Sequence, residues 1–251
     1  MAEQPRVTFV IAGVQKGGTT ALHEYLAAMG DVALSRQKET HFFDDETLDW
    51  ARPDYARYHA LFDGTVDGRP CGEATPIYSY WPNALERICA YNPAMKLILL
   101  LRDPVARAWS HWRMEYARGA EKEPFAWCVR EGRMRLFEHQ PPVHPWGAHR
   151  EYSYVERGFY GEQVERALAL FPREQLLVLS AEALQDAPAA TLAAVRAFLG
   201  LPKRKAPAAR RVHVGAEIDY GSELTTGDAA FLRGLYARDQ ARLRRLLAGP
   251  A

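Results

Sequence analysis

A lysine followed by two glycines and two threonines, Lys16, Gly17, Gly18, Thr19 and Thr20, lies between a short apolar stretch and an amphipathic run. Such a set can hold a phosphate. Glycines let the backbone approach an anion closely, the lysine adds a point charge, and the hydroxyls can donate to phosphoryl oxygens. In the run that follows, Leu22, Tyr25, Leu26 and Met29 recur at the spacing of one helix face, so the opening turn falls at Gly18, Thr19 and Thr20. Free N–H groups and the positive end of the helix dipole favour an anion there. A Walker loop would read G-x-x-x-x-G-K-[ST]. Here, with Gly18 as the second glycine, Thr19 takes the lysine position. The cation has moved to the front of the loop, where it meets a terminal group rather than lying beneath a chain of phosphates. A plain glycine turn is the competing account, and the agreement of strand, lysine, glycines, hydroxyls and helix weighs against it.

A second set is KLILLLRDPVARAWSHW, Lys96 to Trp112. Lys96 to Leu101 reads as a strand covered on both faces in a parallel sheet. Asp103 can cap the next helix and Pro104 can take its first position. A magnesium-holding acid is the rival role for Asp103, and the proline directly after it favours the cap. On that helix Val105, Ala108, Trp109, Trp112 and Tyr116 form one apolar stripe, which places Arg107 and Ser110 together on the opposite face. Ligands of open α/β sheets bind outside the carboxyl ends of the strands, so Arg102 and Ser110 are placed to meet a second phosphate, with a surface arginine and an exposed serine as the alternative.

Both sets need a scaffold of strands and helices. Strand-like segments at 7–12, 31–35, 71–75, 96–101 and 175–180 alternate with helical ones at 19–29, 83–91, 104–117, 161–171, 189–199 and 226–247. The alternation predicts an α/β fold, a central parallel sheet flanked by helices on both faces, in a single domain over residues 1–251. The least regular stretch, 131–156, contains His139, Pro141, Pro142, His144, Pro145, Trp146, His149, Tyr152 and Tyr154 and is expected to act as an acceptor-binding lid. With 32 basic and 31 acidic residues the formal charge is +1, which marks no nucleic-acid partner. The local exception, Lys203, Arg204, Lys205, Arg210 and Arg211, reads first as a solvated linker. Cys71, Cys89 and Cys128 have no paired metal spacing and suggest a reducing compartment. No charged region precedes a long apolar run at the amino terminus, so neither signal peptide nor membrane anchor is expected.

Together these motifs resemble the sulfotransferases that use 3′-phosphoadenosine 5′-phosphosulfate. Further matches are KETHFFDD at Lys38 to Asp45, GEATPIY at Gly72 to Tyr78 and RGFYGEQVERALALFPREQLLVLSAEAL at Arg157 to Leu184. They are most similar to the heparan-sulfate type branch and its bacterial relatives. The resemblance implies a P-loop-like fold and an enzyme in which the loop from Gly13 to Leu22, including Gln15, Lys16, Gly17, Gly18, Thr19 and Thr20, grips the 5′-phosphosulfate. It implies that Arg102 and Ser110 grip the 3′-phosphate, adds Tyr160 to the cofactor residues, and offers Arg210 or Arg211 as basic groups closing over that phosphate, although the usual K-G-R form is absent. Glu39 maps onto the base for the acceptor hydroxyl, with Lys16 stabilising charge. His41 stands in reserve as a base, although its place beside two phenylalanines is that of a packed structural histidine. Phe42 and Phe43 belong to the core or the wall of the site. One departure is GEAT at Gly72 to Thr75, where several relatives carry a lysine after the glutamate; Glu73 reads equally as an acceptor ligand or a strand-end structural acid. The expected reaction is in-line sulfuryl transfer, without a metal, to a hydroxyl, or secondarily an amine, of a glycan or small molecule. A soluble, cytoplasmic, bacterial-type enzyme is expected, and no particular oligomeric state is implied. A small-molecule kinase and a non-catalytic nucleotide-binding module are the competing classes.

Overall fold

The computed structural model describes residues 7–63, 68–137, 147–204 and 218–249. Its strands are β1 (Phe9–Gly13), β2 (Ala33–Leu34), β3 (Cys71–Ala74), β4 (Lys96–Leu101) and β5 (Leu176–Ser180). Its helices are α1 (Thr19–Met29), α2 (Tyr55–His59), α3 (Ala84–Tyr91), α4 (Pro104–Ala117), α5 (Phe125–Cys128), α6 (Ala148–Glu151), α7 (Tyr160–Leu170), α8 (Ala181–Asp186), α9 (Pro188–Leu199) and α10 (Thr226–Ala248). Every strand and helix expected from periodicity is present. The 31–35 segment keeps only two strand residues, since it pairs at the sheet edge through Ala33 with Cys71 and Leu34 with Gly72 alone. Helices α2, α5, α6 and α8 have four to six residues, too few to write a helical period in sequence. Among the described residues no helix is long and apolar enough to cross a membrane.

The chain divides into two compact units, Met1–Leu101 with Arg166–Val212, and Arg102–Glu165 with His213–Ala251. The first holds one parallel sheet in the order β2-β3-β1-β4-β5. All five residues of β1 are buried, as expected of a central parallel strand covered on both faces. One face packs Phe9, Ile11, Ile98 and Leu100 against Leu22 and Leu26 of α1 and Leu192 and Val195 of α9. The chain leaves β1 toward the β3 side and later returns on the β4 side, so the crevice of a doubly wound sheet opens outside the carboxyl end of β1. The lysine–glycine loop begins there. The segments that follow β2 and β3 lead from that same edge.

In the second unit α4, α5 and α10 share a core of Val105, Ala108, Trp112, Phe125, Leu232 and Tyr236. Thr225 and Asp228 form a capping box that starts α10. Further along α10, the Asp239 carboxylate accepts the amides of Gly161 and Glu162 at 2.8 and 3.0 Å and so caps the start of α7. Gly161 is required for this approach, since a Cβ there would stand 2.6 Å from the Asp239 carbonyl oxygen.

Candidate active site

The loop after β1 folds back on the sheet. Val14 N–H donates to the Leu100 carbonyl at 3.1 Å and Gly17 N–H to the Val14 carbonyl at 2.8 Å. A Cβ on Gly17 would lie 2.3 Å from the Leu100 oxygen, so this glycine serves the sheet as well as a ligand. Gly18 caps α1 in the left-handed conformation, φ 91°, without a side-chain hydrogen bond, and no acidic residue occupies the first turn. The opening amides of α1 are thus left to an anion. Thr19 is buried, while Gln15, Lys16 and Thr20 are partly exposed.

Four non-glycine residues among those described have positive φ: Lys16 (66°), Glu39 (62°), His41 (52°) and Asn83 (62°). Three of them are the residues singled out for catalysis. Each such conformation costs roughly 1–3 kcal/mol and persists only where the surroundings over-determine it, a pattern concentrated at ligand clamps and active sites.

Glu39 and His41 lie on the segment after β2, anchored where the Glu39 amide donates to the Ala74 carbonyl at 3.0 Å. Lys38 Nζ hydrogen-bonds Glu39 Oε1, and His41 Nε2 stands 3.7 Å from Oε2. Asp44, fully buried, accepts from His41 Nδ1 at 3.0 Å and orients the ring. The expectation of a packed His41 is corrected, for its side chain is 44% exposed, with Nδ1 against Asp44 and Nε2 toward Glu39. Phe42 and Phe43 are buried in an aromatic cluster with Trp50 and Tyr58. The Lys38 cation reaches α1 as well: burial lowers the pKa of His23, on the second turn of that helix, and Lys38 lowers it further. Glu73 is fully buried and accepts from Thr75 Oγ1 at 2.6 Å, Tyr78 at 3.0 Å and Tyr58 at 3.1 Å, which makes it the strand-end structural acid and not an acceptor ligand.

Burial pushes the Glu39 carboxyl up, but the His41 hydrogen bond and the Lys38 cation outweigh it and hold the pKa at about 2. Since this lies below the ordinary 4.5, ionisation of Glu39 favours the folded state, a contribution complete above 4.5 and lost as pH falls toward 2. Glu39→Gln removes it. Across that acidic window the variant should therefore lose less stability than the parent, as urea midpoints at successive pH values will measure.

In the second unit Asp103 accepts the Ala106 amide at 2.8 Å and Pro104 opens α4, so the aspartate is a helix cap. Arg102 and Ser110 are both partly buried. The expectation that Arg107 shares an open face with Ser110 is corrected. Arg107 is fully buried and donates through Nη2 to the Tyr154 carbonyl, because α4 is covered on that side too, where His111 and Glu115 are also buried. Tyr160 is 1% exposed. Its hydroxyl is buried beside the Arg102 backbone and the Arg107 guanidinium.

Within 131–156 the described residues are more regular than expected, with a 3-10 turn at Glu131–Leu136 and helix α6. Tyr152 donates to the Ala120 carbonyl at 3.1 Å and Tyr154 to the Glu121 carboxylate at 2.9 Å. Buried His149 has Nε2 3.2 Å from the Leu136 carbonyl. His139, Pro141, Pro142, His144, Pro145 and Trp146 lie outside the described residues, as do Lys205, Arg210 and Arg211. Arg204 pairs with Asp31 at 2.9 Å. Sequence reasoning missed Asp44 and Tyr78. The H-x-x-D spacing is the one signal that points to the first. Among the described residues no cluster of three or more His, Cys, Asp or Glu could hold a metal ion.

Human heparan sulfate glucosamine 3-O-sulfotransferase 6 is 36% identical over 200 residues, which form 77% of this chain and 52% of that protein. Human heparan sulfate glucosamine 3-O-sulfotransferase 3B1 is 34% identical over 198 residues, 77% of this chain and 46% of that protein. The chain thus spans about half the length of the curated relatives it matches. The crystal structure of a sulfotransferase from Alicyclobacillus acidocaldarius is similar with a TM-score of 0.81 at 27% identity, covering 98% of each chain. The sulfotransferase domain model matches residues 7–213, a span that includes the Lys16 loop, the Glu39 segment, Arg102 and Tyr160, and the chain belongs to that family.

Proposed function

We propose that this chain transfers a sulfuryl group from 3′-phosphoadenosine 5′-phosphosulfate to a hydroxyl, or secondarily an amine, of a carbohydrate or small-molecule acceptor by in-line displacement. The observation that carries the reading is that a cation, a carboxylate and an imidazole, Lys16, Glu39 and His41, all sit on left-handed backbone in the loops that follow β1 and β2. Lys16 and the free amides at the start of α1 bind the 5′ end and stabilise charge developing on the departing phosphate. When bound, the nucleotide supplies the sulfuryl group. Glu39, ionised throughout the neutral range, receives the acceptor proton as bond formation makes it acidic, and His41, held by Asp44, stands within reach to share it. Arg102, Ser110 and the Tyr160 hydroxyl hold the 3′-phosphate. The similarity to heparan sulfate glucosamine 3-O-sulfotransferases supports glucosamine-type acceptors. A cytoplasmic setting is part of the same reading, supported by three cysteines that are free thiols.

The test is thermal. The product 3′-phosphoadenosine 5′-phosphate, without magnesium, should raise the melting temperature through linkage. Arg102→Ala or Ser110→Ala should reduce that rise far more than the rise given by adenosine 5′-phosphosulfate, which lacks the 3′-phosphate. Equal reductions for both ligands would remove the 3′-phosphate assignment, and a preference for magnesium with ATP would point to phosphoryl transfer instead.

A further inference from the structure

Two left-handed residues two positions apart, Glu39 and His41, cannot hold their place unaided, since each strained conformation costs roughly 1–3 kcal/mol. Their restraints converge on one hydroxyl. Tyr78 accepts the amide of Phe42 at 3.1 Å and that of Phe43 at 3.3 Å, and its oxygen lies 3.0 Å from Thr40 Oγ1, between the two strained residues. The Tyr78 proton goes to Glu73 Oε1 at 3.0 Å. Glu73 is itself fixed by Tyr58 and Thr75, on the strand whose next residue, Ala74, accepts the Glu39 amide. With its proton directed to Glu73, the tyrosine oxygen presents its lone pairs to the loop. Without the carboxylate the hydroxyl could rotate its proton toward the loop amides and repel them.

We infer that Glu73, acting through the Tyr78 hydroxyl, is a positioning residue that locks the Glu39–His41 segment in its strained, reactive arrangement. It touches neither substrate nor cofactor, being fully buried. The inference rests on the reading of Glu39 as base, and its test separates the two.

Glu73→Gln, Tyr78→Phe, the double variant and Glu39→Gln should be compared with the parent for kcat, KM for the nucleotide, product-nucleotide affinity and amide hydrogen exchange. In both single variants kcat should fall about 10²-fold, the cost of roughly 1 Å of misplacement, while nucleotide KM and affinity stay at parent values. The double variant should lose no more than the worse single one, because both act through one hydroxyl. The Phe42 and Phe43 amides should exchange faster in each. Parent-like kcat in folded Tyr78→Phe, or losses that multiply in the double variant, would overturn the inference. Tyr78→Phe, which removes one oxygen, decides the matter if Glu73→Gln does not fold. Retained turnover in Glu39→Gln sinks the base assignment instead, and unchanged exchange at Phe42 and Phe43 sinks the pin whichever residue is the base.

Discussion

Glu39→Gln will keep the fold and the affinity for product nucleotide while sulfuryl transfer falls by roughly 10²- to 10⁴-fold, the range for a lost general base. The amide is nearly isosteric and can still accept from Lys38, so the segment anchored at Ala74 stays in place. What is lost is the ability to take a proton. The Lys38 and His41 contacts that hold the carboxyl at about 2 keep Glu39 ionised and open to the acceptor hydroxyl at every working pH. They also make it a weak base at rest, which places its action late, when sulfur–oxygen bond formation has acidified the hydroxyl. Turnover and nucleotide affinity, measured together once an acceptor has been found by screening, check this. Near-normal turnover in Glu39→Gln would transfer the role to His41, whose ring is already oriented by buried Asp44, and His41→Asn would then carry the large loss.

Lys16→Ala will lower kcat by about 10²- to 10³-fold, the cost of removing one preorganised electrostatic donor. Unlike the Glu39 variant, it should also weaken nucleotide binding, because the same cation meets the ground-state 5′ group. Lys16 has φ 66°, so a fall in stability could be confused with a loss of chemistry. Lys16→Gly separates them: glycine accepts the left-handed backbone freely, so this variant should be at least as stable as Lys16→Ala yet equally impaired. Recovery of turnover in Lys16→Gly would mean that the loop's shape, and not its charge, supports the reaction. Denaturation midpoints and single-turnover rates for the two variants make the comparison.

Features written in a few consecutive residues are legible in the sequence. The Lys16–Thr20 loop and the Asp103–Pro104 cap depend on local backbone chemistry, and the apolar run Lys96–Leu101 announces a strand buried on both faces. Glu39 stands out only through the motif around it, since a lone glutamate carries no signal of its own. Arg107 shows where periodicity fails: the apolar stripe of α4 packs as its spacing requires, but a second layer, with the Tyr154 carbonyl 47 residues away in sequence, covers the other side. The short helices are too brief for a helical period to show.

The sequence by itself determined the parallel α/β frame and the candidate anion loop, because periodicity, turn chemistry and capping act over one to seven residues; Glu39 came forward as candidate base through the resemblance of the motif around it. Only the tertiary structure decided how those groups are tuned. Asp44 behind His41, Lys38 against Glu39, the buried hydroxyl of Tyr160 beside Arg102 and the Glu73–Tyr78 lock under residues 39–43 arise where segments 35 or more residues apart meet, or where a loop turns left-handed against its own preference. A pKa or a strained φ is set by the field and packing of everything around the residue. That sum exists only once the chain has closed on itself.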